Sequence, residues 1–529
     1  MSRKPMQKKL LPVGIASFSE MREMNYYYVD KTKLIVDLVE TSRFVFLSRP
    51  RRFGKSLTID TIAELFAGNK PLFEGLYAEN HWNWSQSHPV IRLSFASESE
   101  QNNLDQIRNN IRKQLKRNAK SLGVALEKRD LEMDLGSAFE DLILNTQENY
   151  QKKVIVLIDE YDKPIIDNLD EREISLEVRS LLRSLYSRLK NCASSIRFAM
   201  LTGVSKFGQM SLFSGLNHID DITLSEEYSA LCGYTQEELE REFAPELEEV
   251  DLAEVRRWYN GYNWKGESVY NPFDILLFLK NRHSYQPYWI QTGGNVSLLY
   301  KAIQREDIQA LDIINRTESG ESLLAHTDIG SLSAIPIMFQ TGYLTIDKVI
   351  SNAGFGESYQ LKFPNQEVRV AFNNDLWRWY TKKDMFAQRS RVVEAVRAGD
   401  LDQLKAEISS AFAGIPHNWF RNNDIARYEG FCASCFYMFF ASCCTLVRPE
   451  DVSTQGQVDL VIGEEGNIFV FEFKMKRAGD AQSALKQIRE KRYADKYRAE
   501  TKQIFEVGVS FDGETREVVF AVEGKRDES

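Results

Sequence analysis

Little in this sequence points to export or to a membrane. Met1–Lys9 is basic, but no apolar segment follows it, so no secretory signal is predicted. With six cysteines in 529 residues, a reduced, cytoplasmic protein is the simplest interpretation. One uncharged run, Phe431–Val447, covers 17 residues, which is the lower limit for a spanning helix, and it contains Ser, Thr and Cys. No second run accompanies it, so we expect a buried core helix there and no membrane partner.

A cysteine-rich zinc site is not expected either. Cys432 and Cys435 form a C-x-x-C motif, and Cys443 and Cys444 follow closely. All four fall in one predicted helix, and a continuous helix cannot bend four thiolates around one tetrahedral ion. These cysteines are therefore predicted to be small buried hydrophobic residues.

A generally basic surface is missing as well. The net charge of −9 argues against a protein that is coated with nucleic acid over its whole surface. Cations are nevertheless concentrated in two stretches: residues 1–60 hold 12 Lys and Arg against 6 Asp and Glu, and residues 472–502 hold 10 against 5. Local patches of this kind can bind phosphates even when the whole protein is acidic.

The stretch that organises the chain runs from Phe44 to Phe66. An apolar strand, Phe44–Leu47, leads through a basic turn to Gly54, Lys55 and Ser56, and an apolar-periodic helix follows. Strand, turn, Gly-Lys-Ser and helix cradle phosphates in P-loop proteins, where the Lys reaches the terminal phosphates and the Ser hydroxyl binds Mg²⁺. The P-loop pattern has Gly where this chain has Arg49. A capped surface helix that happens to contain Gly-Lys-Ser is the alternative interpretation.

A second acidic strand end supports the nucleotide interpretation. Val154–Ile158 is an uninterrupted apolar run, typical of a strand buried on both faces of a parallel sheet, and Asp159 and Glu160 follow it. Asp159 is placed to hold Mg²⁺, and Glu160 to orient or deprotonate the attacking water. Thr202 follows another predicted strand, Ile196–Leu201. It could sense the γ-phosphate or could simply cap the strand.

The remaining pattern gives an α/β protein that begins with a parallel sheet covered by helices on both faces. At about 150 residues per domain, three or four domains are expected, and we place boundaries at 1–225, 226–405 and 406–529. The middle region is predicted to be a mostly helical lid or linker, with helices over 225–231, 235–243 and 252–259 and a strand-like segment over 346–375. An aromatic turn, Trp258–Trp264, is interpreted as stabilising a domain corner.

A second chemical cluster lies near the C-terminus. Strand Gln457–Ile462 carries Asp459, and strand Asn467–Met475 places Glu472 and Lys474 on the face opposite its phenylalanines. Two carboxylates can bind Mg²⁺, and a neighbouring Lys can help to generate a hydroxide for phosphodiester cleavage. A predicted helix over 481–497 then carries Gln487, and the helix before this cluster carries Glu429. A solvent-facing Glu472–Lys474 ion pair is the alternative.

These motifs resemble those of the AAA-ATPase-like family of bacterial proteins, whose members typically end in a PD-(D/E)XK nuclease-superfamily domain with a restriction-endonuclease-like α/β fold. The resemblance rests on Arg49–Ser56, Tyr28–Thr32, Asn260–Tyr262, Asn271–Phe273 and the C-terminal cluster, and it covers nearly the whole chain. In that family Arg takes the place of the first P-loop Gly. The resemblance implies ATP and Mg²⁺ as cofactors, and it implies DNA as a partner.

The resemblance also implies roles for individual residues. The nucleotide contacts would be Arg49, Pro50, Arg51, Arg52, Phe53, Gly54, Lys55, Ser56 and Leu57, with Thr202 as the candidate sensor. The metal ligands would be Ser56, Asp159, Asp459 and Glu472. The catalytic residues would be Glu160, Glu429, Asp459, Glu472, Lys474 and Gln487. Arg51 and Arg52 are candidates for an arginine finger only because they flank the phosphate loop.

Two departures from the family pattern leave the nuclease activity open. The family often has His where this chain has Ala433, and Arg where it has Gln457. We favour an ATP-hydrolysing module coupled to a Mg²⁺-dependent nuclease. The alternatives are a nucleotide switch whose last domain binds nucleic acid or a protein without cutting, and a purely structural protein. A homo-oligomer is also considered.

Overall fold

The computed structural model forms two compact units. It describes residues 8–96, 103–169, 171–206, 219–289, 333–352, 356–381, 386–413, 429–453, 456–498, 503–512 and 517–522, with a few short pieces between 299 and 323. The first unit comprises residues 1–299 and 318–365, and the second comprises residues 300–317 and 366–529. The predicted middle region, 226–405, is thus shared between the two units.

The first unit is built on a parallel five-stranded sheet. Its strands are β1 (Phe44–Ser48), β2 (Val90–Ser94), β3 (Val154–Asp159), β4 (Ile196–Gly203) and β5 (Asp220–Asp221). Their order is β2-β3-β4-β1-β5, so β3 and β4 lie in the centre. Every residue of β1 and β3 is buried, as expected for apolar strands that are covered by helices on both faces. The predicted parallel sheet is confirmed.

The described residues of the first unit also form α-helices before, between and after these strands. They are α1 Phe18–Glu23, α2 Thr32–Thr41, α3 Lys55–Ala67, α4 Ala78–His81, α5 Leu104–Ser121, α6 Lys128–Met133, α7 Leu135–Tyr150, α8 Lys163–Ile166, α9 Arg172–Asn191, α10 Gln236–Glu242, α11 Leu252–Tyr259, α12 Pro272–Lys280 and α13 Ala334–Thr341. The helix expected over 225–231 is wrong. The chain makes turns there, and the carbonyl of Tyr228 accepts a hydrogen bond from the Arg49 side chain.

The edge strand β2 is covered by side chains of helix α5. The amide of Gln114 accepts from the backbone N–H of Ser94 at 2.7 Å and donates to its carbonyl at 2.9 Å. One helical turn later, Asn118 makes the same pair of bonds with Arg92, at 3.0 and 2.8 Å. Two side chains that lie one helical turn apart thus satisfy the backbone hydrogen-bonding groups of two alternate strand residues, as a neighbouring strand would.

The first unit ends in a small antiparallel sheet. Strand β7 (Thr345–Asn352) pairs with β8 (Gly356–Lys362), and β8 also pairs with the short β6 (Glu318–Ser319). The strand-like prediction over 346–375 is therefore correct only in part, because a helix begins at Gln366. Pro364 lies two residues before that helix begins.

The second unit contains a mixed five-stranded sheet with the order β13-β12-β11-β10-β9. The strands are β9 Leu446–Ser453, β10 Gly456–Glu464, β11 Asn467–Met475, β12 Gln503–Phe511 and β13 Val518–Val522. Only the β11–β12 pair is parallel. The helices are α14 Gln366–Thr381, α15 Phe386–Ala398, α16 Leu401–Ala413, α17 Glu429–Ala441 and α18 Ala481–Glu490. Helix α18 makes the crossover that a parallel pair requires.

The phenylalanine face of β11 packs against helix α17, as its period-2 pattern predicts. The ring of Phe436 lies 4.8 Å from that of Phe473 and 6.1 Å from that of Phe471, measured between centroids. Such aromatic pairs bury large apolar areas and hold the strand firmly to the helix. The opposite face of β11, which carries Glu472 and Lys474, is thereby left to form a polar cluster.

The uncharged run 431–447 forms a helix followed by a strand. Helix α17 ends at Ala441, so Cys443 and Cys444 lie beyond it, and the expectation of four cysteines in one helix is wrong. The chain leaves the helix where Arg369 donates to the carbonyls of Cys444 and Thr445. All six cysteines are buried and unbridged. In the described part of the chain no helix is long and apolar enough to cross a membrane.

Candidate functional site

The turn between β1 and α3 presents a helix N-terminus to the end of the parallel sheet. Gly54 caps α3 with a φ of +94°, a left-handed conformation that glycine adopts at little cost. The first backbone N–H groups of any helix lack partners within it and attract anions. Those of Lys55, Ser56 and Leu57 occupy this position, so the local backbone is suited to a phosphate group.

Lys55 is a buried cation of this turn. Its Nζ donates to the carbonyls of Arg49 and Pro50, at 2.9 Å each. Burial lowers the pKa of Lys55, while the nearby carboxylates of Glu160 and Asp159 oppose that shift. The amine therefore lies between the loop backbone and the acidic strand end, as a phosphate-binding Lys requires.

Asp159 joins three elements at the end of β3. Ser56 Oγ donates to Asp159 Oδ2 at 2.6 Å, and Thr202 Oγ1 donates to Asp159 Oδ1 at 2.6 Å. A serine hydroxyl beside a carboxylate is an oxygen donor set that suits Mg²⁺. The structure thus brings Ser56, Asp159 and Thr202 together from three different elements.

Glu160 follows in an unusual backbone conformation. Its φ is +54°, which is uncommon for a residue other than glycine and directs its side chain differently from a regular strand residue. Burial raises the pKa of Glu160, and the charge of Lys55 partly offsets this. A carboxyl group with a raised pKa is better able to exchange a proton with water near neutral pH.

Arg49 does not reach towards the helix N-terminus. Its guanidinium donates to the carbonyls of Ser48, Thr223 and Tyr228 and lies over the Trp264 ring, 4.1 Å from the centroid. Burial lowers the pKa of Arg49 to about 10. The side chain anchors the loop to residues 223–228 and Trp264, and a direct nucleotide contact by Arg49 stays a prediction.

The aromatic turn 258–264 packs against the same loop. The ring of Phe53 contacts those of Tyr262 and Trp264 edge-on, with centroids 4.7 and 5.3 Å apart. The turn thus stabilises the phosphate loop, which is more specific than the domain corner expected from the sequence. Arg52 lies on the outer side of the loop, 5.1 Å from the centroid of Phe273.

Sequence reasoning missed a buried network beneath Glu160. Asp162 is fully buried and accepts from the backbone N–H groups of Val204 and Ser205 and from the Ser205 hydroxyl. The next residue, Lys206, donates its backbone N–H to Gln340 of helix α13 at 2.8 Å. The acidic run 159–162 could have indicated that Asp162 belongs to the site, but no sequence pattern indicates the contact with Gln340.

The second cluster forms where β10, β11 and α18 meet. Asp459 Oδ2 accepts from the backbone N–H of Phe473 at 2.6 Å, which places it beside Glu472 on the neighbouring strand. Lys474 Nζ lies 3.7 Å from Glu472 Oε1, and the Gln487 amide donates to the same oxygen. Four of the predicted residues therefore come together. Glu429 is the first residue of α17, and its side chain lies outside the described residues.

Two family models match the chain. Residues 12–213 match a family described as predicted AAA-ATPase, and residues 427–521 match the PD-(D/E)XK nuclease superfamily. A protein of Azotobacter chroococcum mcd 1, named "Uncharacterized protein in vnfD 5'region", is 44% identical over 523 residues, which cover 98% of this chain and 99% of that protein.

The chain belongs to the predicted AAA-ATPase family, with a PD-(D/E)XK nuclease-superfamily domain at its C-terminal end. The resemblance found in the sequence is confirmed. No solved structure matches the chain. The AAA-ATPase domain (12–213) contains the phosphate loop and Asp159, and the PD-(D/E)XK domain (427–521) contains Asp459, Glu472 and Lys474.

The basic stretch of the PD-(D/E)XK domain is largely neutralised by acids. Among the described residues of this stretch, seven side chains form ion pairs: Lys474–Glu472, Lys476–Asp512, Lys486–Glu490, Arg489–Glu506, Arg492–Asp495, Lys496–Asp451 and Arg498–Asp495. The predicted helix over 481–497 also ends early, at Glu490, and turns follow it. The positive charge of this surface is therefore smaller than the number of its Lys and Arg residues suggests.

Proposed function

We propose that the AAA-ATPase domain binds and hydrolyses MgATP and that the PD-(D/E)XK domain cleaves DNA phosphodiester bonds with Mg²⁺, under control of the nucleotide. The observation that carries the proposal is the meeting of Ser56, Asp159 and Thr202 beside the buried amine of Lys55. Mg²⁺ at either cluster would supply charge stabilisation to phosphate oxygens.

In the AAA-ATPase domain, each residue has a distinct proposed task. The N–H groups at the start of α3 bind phosphate oxygens, and Lys55 leaves its two loop carbonyls to bind the terminal phosphate. Glu160 orients a water molecule and accepts its proton, which the raised pKa of its carboxyl group favours. Thr202 keeps Asp159 oriented by its hydrogen bond.

In the PD-(D/E)XK domain, Asp459 and Glu472 provide carboxylate oxygens on adjacent strands. Gln487 fixes the Glu472 carboxylate from helix α18, and Lys474 balances its charge. Because Glu472 is buried, these contacts hold it in one orientation rather than leaving it to solvent. Lys474 is also placed to position the water that attacks the phosphodiester.

Plasmid cleavage in Mg²⁺ tests the nuclease proposal. Supercoiled DNA is incubated with the parent protein, with Lys474→Ala and with Lys476→Ala, each with and without ATP. Lys476 is the matched control because it lies two residues further along and pairs with Asp512 at the surface. Cleavage by the parent and by Lys476→Ala but not by Lys474→Ala supports the proposal. Equal cleavage by all three proteins contradicts it.

ATP turnover with and without DNA tests the coupling. A nuclease under nucleotide control is expected to show a rate of ATP hydrolysis that changes when DNA is added. The second candidate function is a nucleotide switch that binds DNA without cutting it, and the ion-paired surface and the departures at Ala433 and Gln457 favour it. Nucleotide-dependent DNA binding with no products in Mg²⁺ or Mn²⁺ would support that candidate instead.

A further inference from the structure

Helix α5 of the AAA-ATPase domain carries a concentration of positive charge. Asp105 is its only acid, and it lies 3.9 Å from Arg108 of the same helix. Six cations and one anion give the helix a charge of +5, in a protein whose net charge is −9. The six cations are Arg108, Arg112, Lys113, Lys116, Arg117 and Lys120.

The packing of α5 fixes which of its faces meets solvent. Its apolar face, which includes Ile111 and Leu115, is buried in the domain. On a second face, Gln114 and Asn118 are bonded to the edge strand β2. The remaining face follows the spacing i, i+3, i+4, i+7, which places side chains in one row along a helix. Its members are all exposed, and they are Lys113, Lys116, Arg117 and Lys120.

The last three cations of this row are not used for contacts within the described protein. Arg112, beside the row, donates to the carbonyl of Leu131 at 2.7 Å. In the part of the chain that the structure describes, the side chains of Lys116, Arg117 and Lys120 take part in no ion pair and no hydrogen bond. The basic stretch of the PD-(D/E)XK domain is different, because seven of its cations are paired with acids.

We propose that helix α5 binds the phosphate backbone of duplex DNA through Lys116, Arg117 and Lys120. The row from Lys113 to Lys120 is about 10 Å long at 1.5 Å per residue. Duplex DNA presents about six phosphates over that length. The inference deepens the proposed function, on which its choice of DNA as the partner rests, and it assigns DNA binding to a surface of the AAA-ATPase domain.

This surface is suited to DNA of any sequence. Bases are read chiefly by bidentate side chains, and for adenine these are Asn and Gln. The amides of Gln114 and Asn118 are already bonded to the backbone of β2, so they are not available for this purpose. The ammonium and guanidinium groups of the exposed row recognise phosphates through charge, which carries no sequence information.

An anionic membrane fits the same surface less well. Basic amphipathic helices bind membranes by burying their apolar face among the lipids. The apolar face of α5 is already packed inside the domain, since Ile107, Ile111 and Leu115 have no exposed surface. Only the charged row could meet a bilayer, so the helix lacks the apolar contribution that membrane binding requires.

The salt dependence of DNA binding tests this role. A fluorescent 20-base-pair duplex is titrated with the full-length protein in EDTA, which prevents cleavage, at several NaCl concentrations. In the triple variant Lys116→Ala, Arg117→Ala, Lys120→Ala, binding should be weaker. The slope of log affinity against log salt should be shallower by about 2.7, because each neutralised phosphate contributes about 0.9. A second duplex of unrelated sequence should give the same slopes.

Two matched variants separate this surface from total charge. The triple variant Lys33→Ala, Lys70→Ala, Lys280→Ala removes three exposed cations from other parts of the first unit, and it should keep the slope of the parent. The variant Lys116→Arg, Arg117→Lys, Lys120→Arg keeps the charges of α5 and should also bind as the parent does. The melting temperature of each variant shows that it is folded.

A parental slope in the α5 triple alanine variant would overturn the role of the helix. So would an equal loss in the Lys33, Lys70 and Lys280 variant, since total charge would then explain binding. Vesicles of equal parts phosphatidylserine and phosphatidylcholine provide the membrane comparison. If the parent bound them but not the duplex, and lost them in the α5 variant, the partner would be a membrane and the DNA proposal would fall.

The cleavage assay distinguishes this failure from that of the proposed function. If the parent cuts plasmid and the α5 variant keeps the parental slope, only the role of α5 falls. If the parent cuts nothing but the α5 variant loses slope, the nuclease falls and the DNA-binding helix stands. If the parent neither binds nor cuts DNA, both inferences fall.

Discussion

The carboxylates of the AAA-ATPase domain and of the PD-(D/E)XK domain are held by different kinds of neighbours. Both oxygens of Asp159 accept from neutral hydroxyls, and the nearest cation, Lys55, binds backbone carbonyls instead. In the PD-(D/E)XK domain, one oxygen of Glu472 is approached by both the Gln487 amide and the Lys474 amine. Lys55 of the first cluster does not pair with a carboxylate of that cluster, whereas Lys474 of the second cluster forms an ion pair with Glu472.

The two clusters are therefore suited to different ligands. A helix N-terminus and a Lys whose amine binds only backbone carbonyls in the structure favour an anion. The AAA-ATPase cluster should therefore hold a metal ion chiefly together with a phosphate. The PD-(D/E)XK cluster lies between strands, and its two carboxylates suit a metal ion by itself. The predictions below test this contrast.

The largest effect is expected when the usual P-loop glycine is introduced at position 49. Arg49→Gly removes a buried guanidinium that satisfies three carbonyls and stacks on Trp264. The free energy of unfolding of the first unit should fall by about 3–5 kcal/mol, because a large buried side chain is removed and three buried carbonyls lose their donor. Chemical denaturation measures it. The control is Arg52→Gly, an exposed position with a φ of +66° that glycine tolerates. A fully stable Arg49→Gly that bound ATP more tightly would contradict the anchoring role.

The next largest effect is expected for Lys55. Lys55→Ala should weaken ATP binding by about 10²-fold, the loss typical when one fixed donor to a developing or bound anion is removed. A fluorescent ATP analogue reports the affinity, and Lys33→Ala, at an exposed position of α2, serves as the control. Nucleotide-free Mn²⁺ binding in the PD-(D/E)XK domain should not change. If both sites weakened together, the two clusters would not be independent.

Metal binding without nucleotide compares the clusters directly. Glu472→Gln should weaken Mn²⁺ binding by at least about tenfold, whereas Ser56→Ala should leave it unchanged. With a non-hydrolysable ATP analogue present, Ser56→Ala should weaken the additional Mn²⁺ site. Calorimetry with and without the analogue gives both affinities. A strong effect of Ser56→Ala in the absence of nucleotide would show that the AAA-ATPase cluster binds metal unaided.

The smallest expected effect is a rise in the unfolding temperature when Glu160 is replaced. The pKa of Glu160 is raised by burial above the ordinary value of 4.5, so the folded state favours the protonated carboxyl group. The parent is therefore penalised as the pH rises through that raised pKa, and the penalty vanishes at acidic pH. Glu160→Gln should abolish ATP hydrolysis yet unfold about 1–3 °C higher at pH 7–8. Melting curves should converge below about pH 4. A difference that does not vary with pH would exclude this cause.

Much of the fold followed from local patterns. The apolar runs at β1 and β3 have the observed bounds within a residue or two, and the alternation along β11 correctly placed Phe473 and Glu472 on opposite faces. Such patterns report burial, which each segment experiences along its own length. The pairing of Ser56 with Asp159 was also predictable, because carboxyl ends of parallel strands share one edge of a sheet.

The predictions that failed concern residues whose contacts are distant in sequence. Arg49 bonds to Thr223 and Tyr228 and stacks on Trp264, and no local pattern specifies these partners. The bond from Arg49 to the carbonyl of Tyr228 fixes the segment 225–231, which forms turns where a helix was predicted. The helix predicted over 481–497 ends at Glu490 instead, because a left-handed Arg492 turns the chain back.

The amides that line strand β2 bear on how copies of this chain could assemble. With Gln114 and Asn118 already filling its outward hydrogen-bonding groups, that border of the sheet offers no template for a foreign strand. The opposite border is only Asp220–Asp221, two residues of like charge. Strand-to-strand assembly through this sheet is therefore disfavoured, and replacing both amides with alanine should open the first border to β-type aggregation on heating.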